Sequence, residues 1–225
     1  MKFTAIGFDL DGTLYPNFRL NVRLVPFLLK DLRLLLAMGK ARNRLRNYNV
    51  NSGDLTGDFY ADQARIMEEI LSEPAQALRE RTERLIYRGW EPHFKEIKLF
   101  PHVRETLDAF RGAGIKMGLL SDFPPDAKLK NLKISGYWDT VLCSEETGRL
   151  KPDPLPFAEL AVKMGVRAES VLYVGNNISY DVDGARRAGM KAALIRARWK
   201  KPLFGKIVPD FTFYDYRQLR DYVLS

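Results

Sequence analysis

The chain has 225 residues, of which 46% are hydrophobic and 28% charged, and its formal net charge at pH 7 is +8. This balance is typical of a globular protein and excludes a disordered chain, and the length suits one large domain or a core with an insertion. Because no apolar stretch reaches the length of a membrane span and no signal sequence is recognisable, we expect neither membrane spanning nor export.

The cysteine count and the uneven charge bear on compartment and partners. Cys143 is the only cysteine and ends an apolar run, which favours a buried strand thiol in a protein of the reducing cytoplasm. Eight Lys or Arg residues against one acid lie between residues 19 and 46, and five against none between 196 and 206. Such charge attracts anionic partners. Little aromatic interleaving and no recognised binding motif argue against nucleic acid and favour a small anionic substrate.

The first half of the chain reads as one strand followed by helices. The apolar run from Phe3 to Phe8 predicts a strand that ends at Asp9. A second helix is predicted from Asp58 to Leu71, and a third from Pro74 to about Arg88. A loop over residues 47–57 precedes the second helix. Steps of three and four residues predict the first helix across Leu24, Leu28, Leu32, Leu35 and Leu36.

After Pro101 helical and strand patterns alternate. Strands are predicted at 115–120, near 141, at 170–174 and at 191–195, with helices near 101–110, 128–132, 155–164 and 180–188. Strands joined by helical crossovers form a parallel sheet with helices on both faces, so we expect a doubly wound α/β fold. Residues 1–15 and 99–225 would form this core, and residues 16–98 an inserted α-helical cap that hinges near 15–17 and 97–101.

Chemically useful side chains follow the predicted strands. In such sheets ligands bind at the carboxyl ends of the strands, where two carboxylates, a hydroxyl, an ammonium and a Gly-Thr turn would meet. These are the groups that phosphoryl transfer needs. Each has an ordinary structural interpretation as a cap, a turn residue or a solvated charge, but together they favour an active site. They are Asp9, Asp11, Gly12, Thr13, Ser121, Asp122, Lys151, Asn176 and Asp181.

Four motifs carry a resemblance to a known family. They occur in order at the predicted strand ends, which makes the set far more specific than any one of them. The motifs are Phe8-Asp9-Leu10-Asp11-Gly12-Thr13-Leu14, Leu119-Leu120-Ser121-Asp122, Gly148-Arg149-Leu150-Lys151-Pro152-Asp153-Pro154, and Val174-Gly175-Asn176 through Asp181 to Ala185. On these residues the chain resembles a haloacid dehalogenase superfamily hydrolase of the phosphatase type, with a helical cap in the first insertion position.

The resemblance implies a Mg2+-dependent phosphatase that hydrolyses a small phosphate monoester through an aspartyl-phosphate. Asp9 would be the nucleophile, and Asp11 the general acid and then the general base. Lys151 would neutralise charge shared by Asp9 and the phosphate. The phosphate would be held by Thr13, Ser121, Lys151 and, as a supporting acid, Asp122. The metal would be held by Asp9, Asp11 through its carbonyl, Asp181 and Asn176.

One departure and several alternatives remain. The fourth motif usually begins Gly-Asp in this family, and Asn176 here removes one negative charge from the metal site. The family's dehalogenases and phosphonate-cleaving members lack the second acid, so Asp11 argues against both. A sugar-phosphate mutase uses the same acid and stays open. A peripheral membrane protein that uses the basic helix is less favoured than a cap helix that buries its leucine face and leaves its basic residues solvated. An inactive binding protein with this fold is less favoured because the other catalytic groups are present.

Overall fold

The computed structural model describes residues 2–47, 55–197 and 205–225. Within them, six strands form one parallel sheet: β1 (Ala5–Phe8), β2 (Lys116–Ser121), β3 (Thr140–Cys143), β4 (Val171–Gly175), β5 (Lys191–Ile195) and β6 (Phe211–Phe213). Their order across the sheet is β3-β2-β1-β4-β5-β6. The predicted doubly wound α/β fold is confirmed.

Strand β1 occupies the point at which the strand order reverses. It pairs with β2 on one side and β4 on the other, so that Phe8 lies beside both Leu119 and Val174. All four of its residues are buried, as expected for a strand covered on both faces. Crevices outside the carboxyl ends of strands at such a reversal are the usual ligand sites of open α/β sheets. The residues that follow β1 and β4 therefore lie where a ligand site is expected.

Helices cover both faces of the sheet. On one face, Phe110 of α5 (Val103–Gly112) and Leu219 of α9 (Tyr216–Leu224) join Ile6 and Phe8 in one apolar cluster, which also takes in α6 (Asp126–Leu132). On the other face, α7 (Pro154–Met164) and α8 (Asp183–Arg187) pack against the alternate strand residues. Gly7 of β1 makes room there, because a Cβ would lie 2.8 Å from the ring of Tyr173.

The chain between β1 and β2 is helical and has an apolar cluster of its own. It contains α1 (Asn17–Leu28), α2 (Leu32–Arg46), α3 (Phe59–Leu71) and α4 (Ala75–Thr82), then a π-helical turn (Glu83–Tyr87) and a 3-10 segment (Glu91–Glu96). Helix α3 starts where the sequence predicts, because the Asp58 carboxylate accepts hydrogen bonds from the N–H groups of Tyr60 and Ala61. Helices α2, α3 and α4 contribute Leu34, Met38, Phe59, Met67 and Leu78 to this cluster.

The prediction of a single first helix was wrong. The chain breaks between α1 and α2, and the Asp31 carboxylate caps the new helix by accepting from the N–H of Leu34 at 3.1 Å. The inner face of α2 therefore contains Leu34, whereas Leu32 is 46% and Leu36 56% exposed. Leu24 is buried as predicted. The expectation that the leucines of this segment serve burial is wrong for Leu32 and Leu36.

Two other helix predictions need correction, and two elements were not predicted. The third helix is α-helical only as far as Thr82 and then widens into the π-helical turn, and residues 178–182 form another π-helical turn before α8. Strand β6 was missed because a strand of three residues gives no usable periodicity. Helix α9 was also missed, although the Asp215 cap and the spacing of Tyr216, Leu219 and Val223 were signals for it. Residues 48–54 of the predicted loop and 198–204 of the second basic run lie outside the described ranges.

A search for membrane-spanning helices covers the same ranges. None of the helices in the described part of the chain is long and apolar enough to cross a bilayer. Cys143 is a buried free thiol in β3, as the sequence predicts.

Candidate active site

The nucleophile candidate lies directly beyond the central strand. The backbone N–H of Asp9 donates to the carbonyl of Val174 at 2.9 Å, which continues the pairing of β1 with β4 by one residue. The Asp9 carboxylate is held from two sides, by Thr13 Oγ1 at 2.7 Å and by Lys151 Nζ at 2.6 Å. Asp9 is only 6% exposed. Burial raises its pKa to about 7 despite the lowering effect of Lys151, and Asp181 and Asp11 act in the same direction as burial.

A tight turn follows Asp9 and requires glycine. The N–H groups of Thr13 and Leu14 both donate to the carbonyl of Leu10. Gly12 has φ +85°, a conformation that glycine adopts readily, and a Cβ there would lie 1.9 Å from Asn176 Nδ2. The turn thereby brings the first and fourth motifs into direct contact.

One buried ammonium joins the first, third and fourth motifs. Lys151 Nζ donates to Asp9 Oδ1 at 2.6 Å and to Asp181 Oδ1 at 2.9 Å, and Lys151 is 3% exposed. Burial works against the charged ammonium, but Asp181 and Asp9 outweigh it and keep the pKa of Lys151 raised. The structure therefore places the side chains of Asp9, Lys151 and Asp181 in direct contact.

Asp11 lies beside a lysine that the sequence analysis missed. Lys128 Nζ donates to both carboxylate oxygens of Asp11 at 2.7 Å, and the hydroxyl of Tyr15 also donates to Asp11 Oδ1. Lys128 is 5% exposed. The sequence signal for Lys128 was its place in the predicted helix 128–132, seven positions after Ser121. Helical spacing alone, however, does not tell which lysine of a helix faces the sheet edge.

The fourth motif forms a compact loop around Asp181. Asp181 Oδ2 accepts hydrogen bonds from the backbone N–H groups of Asn176 at 3.1 Å and Asn177 at 2.9 Å. Gly175 is required by this fold of the chain, because a Cβ would lie 2.3 Å from that of Asp181. Asn177 caps the next turn through its side chain. Asn176 Nδ2 donates to the backbone carbonyl of Asp11 at 3.2 Å, so Asn176 faces the atom that the resemblance assigns to the metal.

The second motif supports the site from behind. Asp122 accepts from Ser144 Oγ at 2.6 Å, from the N–H of Lys151 at 3.2 Å and from Arg46 at 2.6 Å. Burial opposes its charge, but Lys151 and Arg46 keep the pKa of Asp122 below its usual value. Ser121 is fully buried and its Oγ accepts from the N–H of Phe123.

These groups surround a cavity of about 320 Å³. Asp9, Asp11, Asp122, Lys151, Asn176 and Asp181 line it, whereas Thr13 and Ser121, predicted to touch phosphate, are not on its wall. Asn177 and Tyr180 of the fourth motif also line the cavity. The rest of the wall comes from outside the four motifs: Asn17, Leu20, Asn21, Leu24, Trp90, Phe94, Phe123 and Lys128.

Two arginines of α2, Arg42 and Arg46, contact Asp122 at the end of β2 beside this cavity. Arg42 of α2 is 4% exposed, pairs with the buried carboxylate of Glu145, and donates to the carbonyl of Asp122 at 2.7 Å. Its guanidinium lies 4.0 Å from the ring centroid of Phe123. Hydroxyls of Tyr60 and Tyr87 also donate to Glu145. The preferred interpretation of this basic helix had its basic residues solvated, and that is wrong for Arg42.

The donor set fits a small hard cation. Two carboxylates, of Asp9 and Asp181, approach the same ammonium, and an amide and a backbone carbonyl lie at the same edge. In the described residues no cluster of three or more acidic, His or Cys side chains is arranged to hold a metal. Mg2+ does not require one, because it commonly keeps several waters and uses one or two carboxylates with substrate phosphate.

Comparison with known proteins identifies the family. Residues 3–189 match the model of the haloacid dehalogenase-like hydrolases. The chain is 30% identical to a glyceraldehyde 3-phosphate phosphatase of Methanopyrus kandleri, across 97% of this chain and 96% of that protein. It is 27% identical to a phosphoglycolate phosphatase of Aquifex aeolicus, across 92% and 91%. The chain belongs to the haloacid dehalogenase-like hydrolases, as its four motifs predict.

Solved structures show the same fold. A 2-haloacid dehalogenase from Pseudomonas syringae superposes with a TM-score of 0.68 at 24% identity, covering 99% of this chain and 98% of that one. At this identity the likeness concerns the fold, while the first motif of the present chain carries the second acid, Asp11.

Proposed function

We propose that the protein is a Mg2+-dependent phosphatase that hydrolyses a small phosphate monoester through an aspartyl-phosphate on Asp9. The observation that carries this proposal is the position of the Asp9 carboxylate at the cavity floor, fixed by Thr13 Oγ1 on one oxygen and Lys151 Nζ on the other. A nucleophile needs such fixed orientation because misplacement of the attacking atom is costly in rate.

In the first step, Asp9 attacks phosphorus and the ester P–O bond breaks. The departing oxygen takes a proton from the carboxyl of Asp11, and Lys151 offsets the charge shared by Asp9 and the phosphoryl group. In the second step, water attacks phosphorus and gives a proton to the Asp11 carboxylate, and the bond between phosphorus and Asp9 breaks. Inorganic phosphate leaves, and both carboxyl groups return to their starting states.

The residues proposed to hold Mg2+ are Asp9, Asp181, Asn176 and the carbonyl of Asp11. Bound there, the ion would neutralise charge on the phosphoryl oxygens. Support comes from the chemistry of the ligand atoms, because carboxylate, amide and backbone carbonyl oxygens are the ligands that Mg2+ prefers. Asn176 would offer its side-chain oxygen, while its Nδ2 donates to the carbonyl of Asp11.

The cap boundaries are also a proposal. We place the cap at residues 16–98 and the hinge near 15–17 and 97–101, where the N–H of Phe100 donates to the carbonyl of Leu14 at 2.9 Å. These two chain connections lie side by side, so they permit a rigid-body movement of the cap over the core. Such a movement would admit substrate and then exclude water. The free thiol of Cys143 supports the cytoplasm as the proposed compartment.

Turnover of p-nitrophenyl phosphate tests the proposed function. We expect Mg2+-dependent release of phosphate that is lost on addition of a chelator and in Asp9→Asn, a near-isosteric variant. Normal unfolding curves of the variant would show that the fold is kept. Failure of the folded wild-type protein to hydrolyse any ester in a panel of phosphorylated metabolites would refute the proposal.

A further inference from the structure

The wall of the active-site cavity divides into a charged floor and an uncharged roof. The floor holds the carboxylates of Asp9, Asp11 and Asp181 with Lys151. The roof is built from α1 and the 3-10 segment Glu91–Glu96 with Trp90 directly before it. Leu20, Leu24 and Phe94 of this roof are each at most 6% exposed. A substrate whose phosphate rests on the floor therefore extends its organic part toward the roof.

The cations on this wall are already neutralised. In the described part of the chain, the ammonium groups that line the cavity belong to Lys128 and Lys151. Lys128 pairs with Asp11, and Lys151 with Asp9 and Asp181. The fourth carboxylate on the wall, that of Asp122, pairs with Arg46. A second anionic group on the substrate would find no unpaired cation among these described wall residues.

The roof also offers two hydrogen-bonding atoms that no described residue satisfies. Asn17 and Trp90 both line the cavity, and within the described ranges Asn17 Oδ1 and Trp90 Nε1 are buried atoms without a hydrogen-bond partner. Buried polar atoms are usually paired, and an unpaired one in a ligand cavity can be paired by the ligand. One is an acceptor and the other a donor. A hydroxyl group can serve both, since it donates one hydrogen bond and accepts others.

We propose that this cavity selects phosphate monoesters whose organic part is small, uncharged and hydroxylated, such as polyol and hydroxy-carbonyl phosphates. It disfavours esters that carry a carboxylate or a second phosphate. The inference rests on the proposed phosphatase function and specifies its substrate class. Asn17 and Trp90 are the residues that recognise the hydroxylated part, and a wall whose described cations are all paired disfavours further negative charge.

Four substrates test the class directly: glycerol phosphate, phosphoglycolate, a sugar bisphosphate and p-nitrophenyl phosphate. We expect kcat/KM for glycerol phosphate to exceed that for phosphoglycolate and for the bisphosphate by roughly tenfold or more. Equal or higher values for the two anionic esters would overturn the inference while leaving the phosphatase proposal intact. No turnover of any of the four would instead count against the phosphatase proposal.

Substitutions in the roof test the residues. Trp90→Phe keeps an aromatic ring but removes the donor, and Asn17→Leu removes the acceptor. Each should raise KM for glycerol phosphate and leave that for p-nitrophenyl phosphate, which has no hydroxyl group, nearly unchanged. A parallel loss with both substrates would show a merely structural role and contradict the assignment.

A charge added to the roof should reverse the preference. Asn21 also lines the cavity and is exposed, so Asn21→Arg places a cation there without burying it. We expect kcat/KM for phosphoglycolate to rise relative to glycerol phosphate. Gln76→Arg, on the exposed surface of α4, adds the same charge away from this wall and should not change the ratio. Equal shifts in both variants would mean that overall charge, and not the cavity wall, sets the preference.

Discussion

Lys128 Nζ lies 2.7 Å from each carboxylate oxygen of Asp11. The pair joins the helix after β2 to the turn after β1, so the acid proposed to move the proton is fixed by a residue outside the four motifs. Charge-assisted hydrogen bonds of this geometry are among the stronger ones in proteins. Lys128 is therefore a positioning residue for Asp11.

Lys128→Met should lower kcat/KM for p-nitrophenyl phosphate by roughly 100-fold, because Asp11 loses both hydrogen bonds and its orientation. Lys130→Met is the matched control, since Lys130 is exposed on the same helix and does not line the cavity. Steady-state kinetics of both variants provide the measurement. Wild-type activity in Lys128→Met would contradict the positioning role.

Asn176→Asp should strengthen Mg2+ binding. The new carboxylate restores the missing negative charge next to the carbonyl of Asp11, and the Mg2+ concentration for half-maximal activity should fall roughly tenfold. Without Mg2+ the same variant should unfold at a lower temperature, because the hydrogen bond to that carbonyl becomes a repulsion between oxygens.

Asn177→Asp is the control variant, because it adds the same negative charge at the neighbouring residue. Asn177 caps a turn through its side-chain oxygen, which an aspartate retains, so the Mg2+ requirement should change far less. A Mg2+ titration in which both variants behave alike would argue against Asn176 as a metal ligand.

The buried pair of Arg42 and Glu145 should couple α2 to the segment that follows β3. Arg42→Met leaves a buried carboxylate without its cation and should lower the free energy of unfolding by about 3–5 kcal/mol. Adding Glu145→Leu should recover part of that loss. Urea denaturation of the single and double variants measures the coupling.

The exposed pair of Arg44 and Glu69, whose charged atoms lie 2.9 Å apart, provides a reference double-mutant cycle. Its coupling energy should not exceed about 1 kcal/mol, because solvent screens exposed charges. Coupling energies of equal size in the two cycles would mean that burial does not strengthen the Arg42 pair.

Asp31 should stabilise the start of α2 in a pH-dependent way. Its hydrogen bond with Arg81 chiefly lowers the pKa of Asp31 below 3.8, with a further contribution from the N–H of Leu34. A carboxyl with a lowered folded-state pKa stabilises the fold above its unfolded-state pKa, and this stability is lost as the pH falls through the folded-state value.

Asp31→Ala should therefore lower the free energy of unfolding by about 1 kcal/mol at neutral pH. The difference from wild type should shrink progressively below pH 3.8. Asp31→Asn retains a capping oxygen and should lose less. If the difference in the free energy of unfolding did not depend on pH, the ion pair with Arg81 would not be the cause of the stabilisation.

The sequence predicted well where local chemistry decides the structure. The Asp58 cap marks the start of α3, and the Gly-Thr turn predicted after Asp9 is present, with Gly12 at φ +85°. The break before α2 was not predicted, because the leucine spacing continues through it and only the capping bond of Asp31 reveals it.

The least predictable parts of the site depend on contacts between distant segments. Lys128 and Asp11 are 117 residues apart, and Arg42 and Glu145 are 103 apart. No local pattern indicates which of several lysines or arginines in a helix will turn inward. The four motifs were enough to predict the floor of the cavity. The roof residues, such as Asn17 and Trp90, could be identified only from the three-dimensional structure.

The most direct test of the central claim is detection of the phosphorylated intermediate on Asp9. After rapid acid quench of the enzyme with a radiolabelled phosphate ester and Mg2+, we predict label on the peptide that contains Asp9. The label should be released by hydroxylamine, as for an acyl phosphate, and absent in Asp9→Asn. Steady turnover by the wild-type enzyme without such label, together with retained activity in Asp9→Asn, would contradict the account.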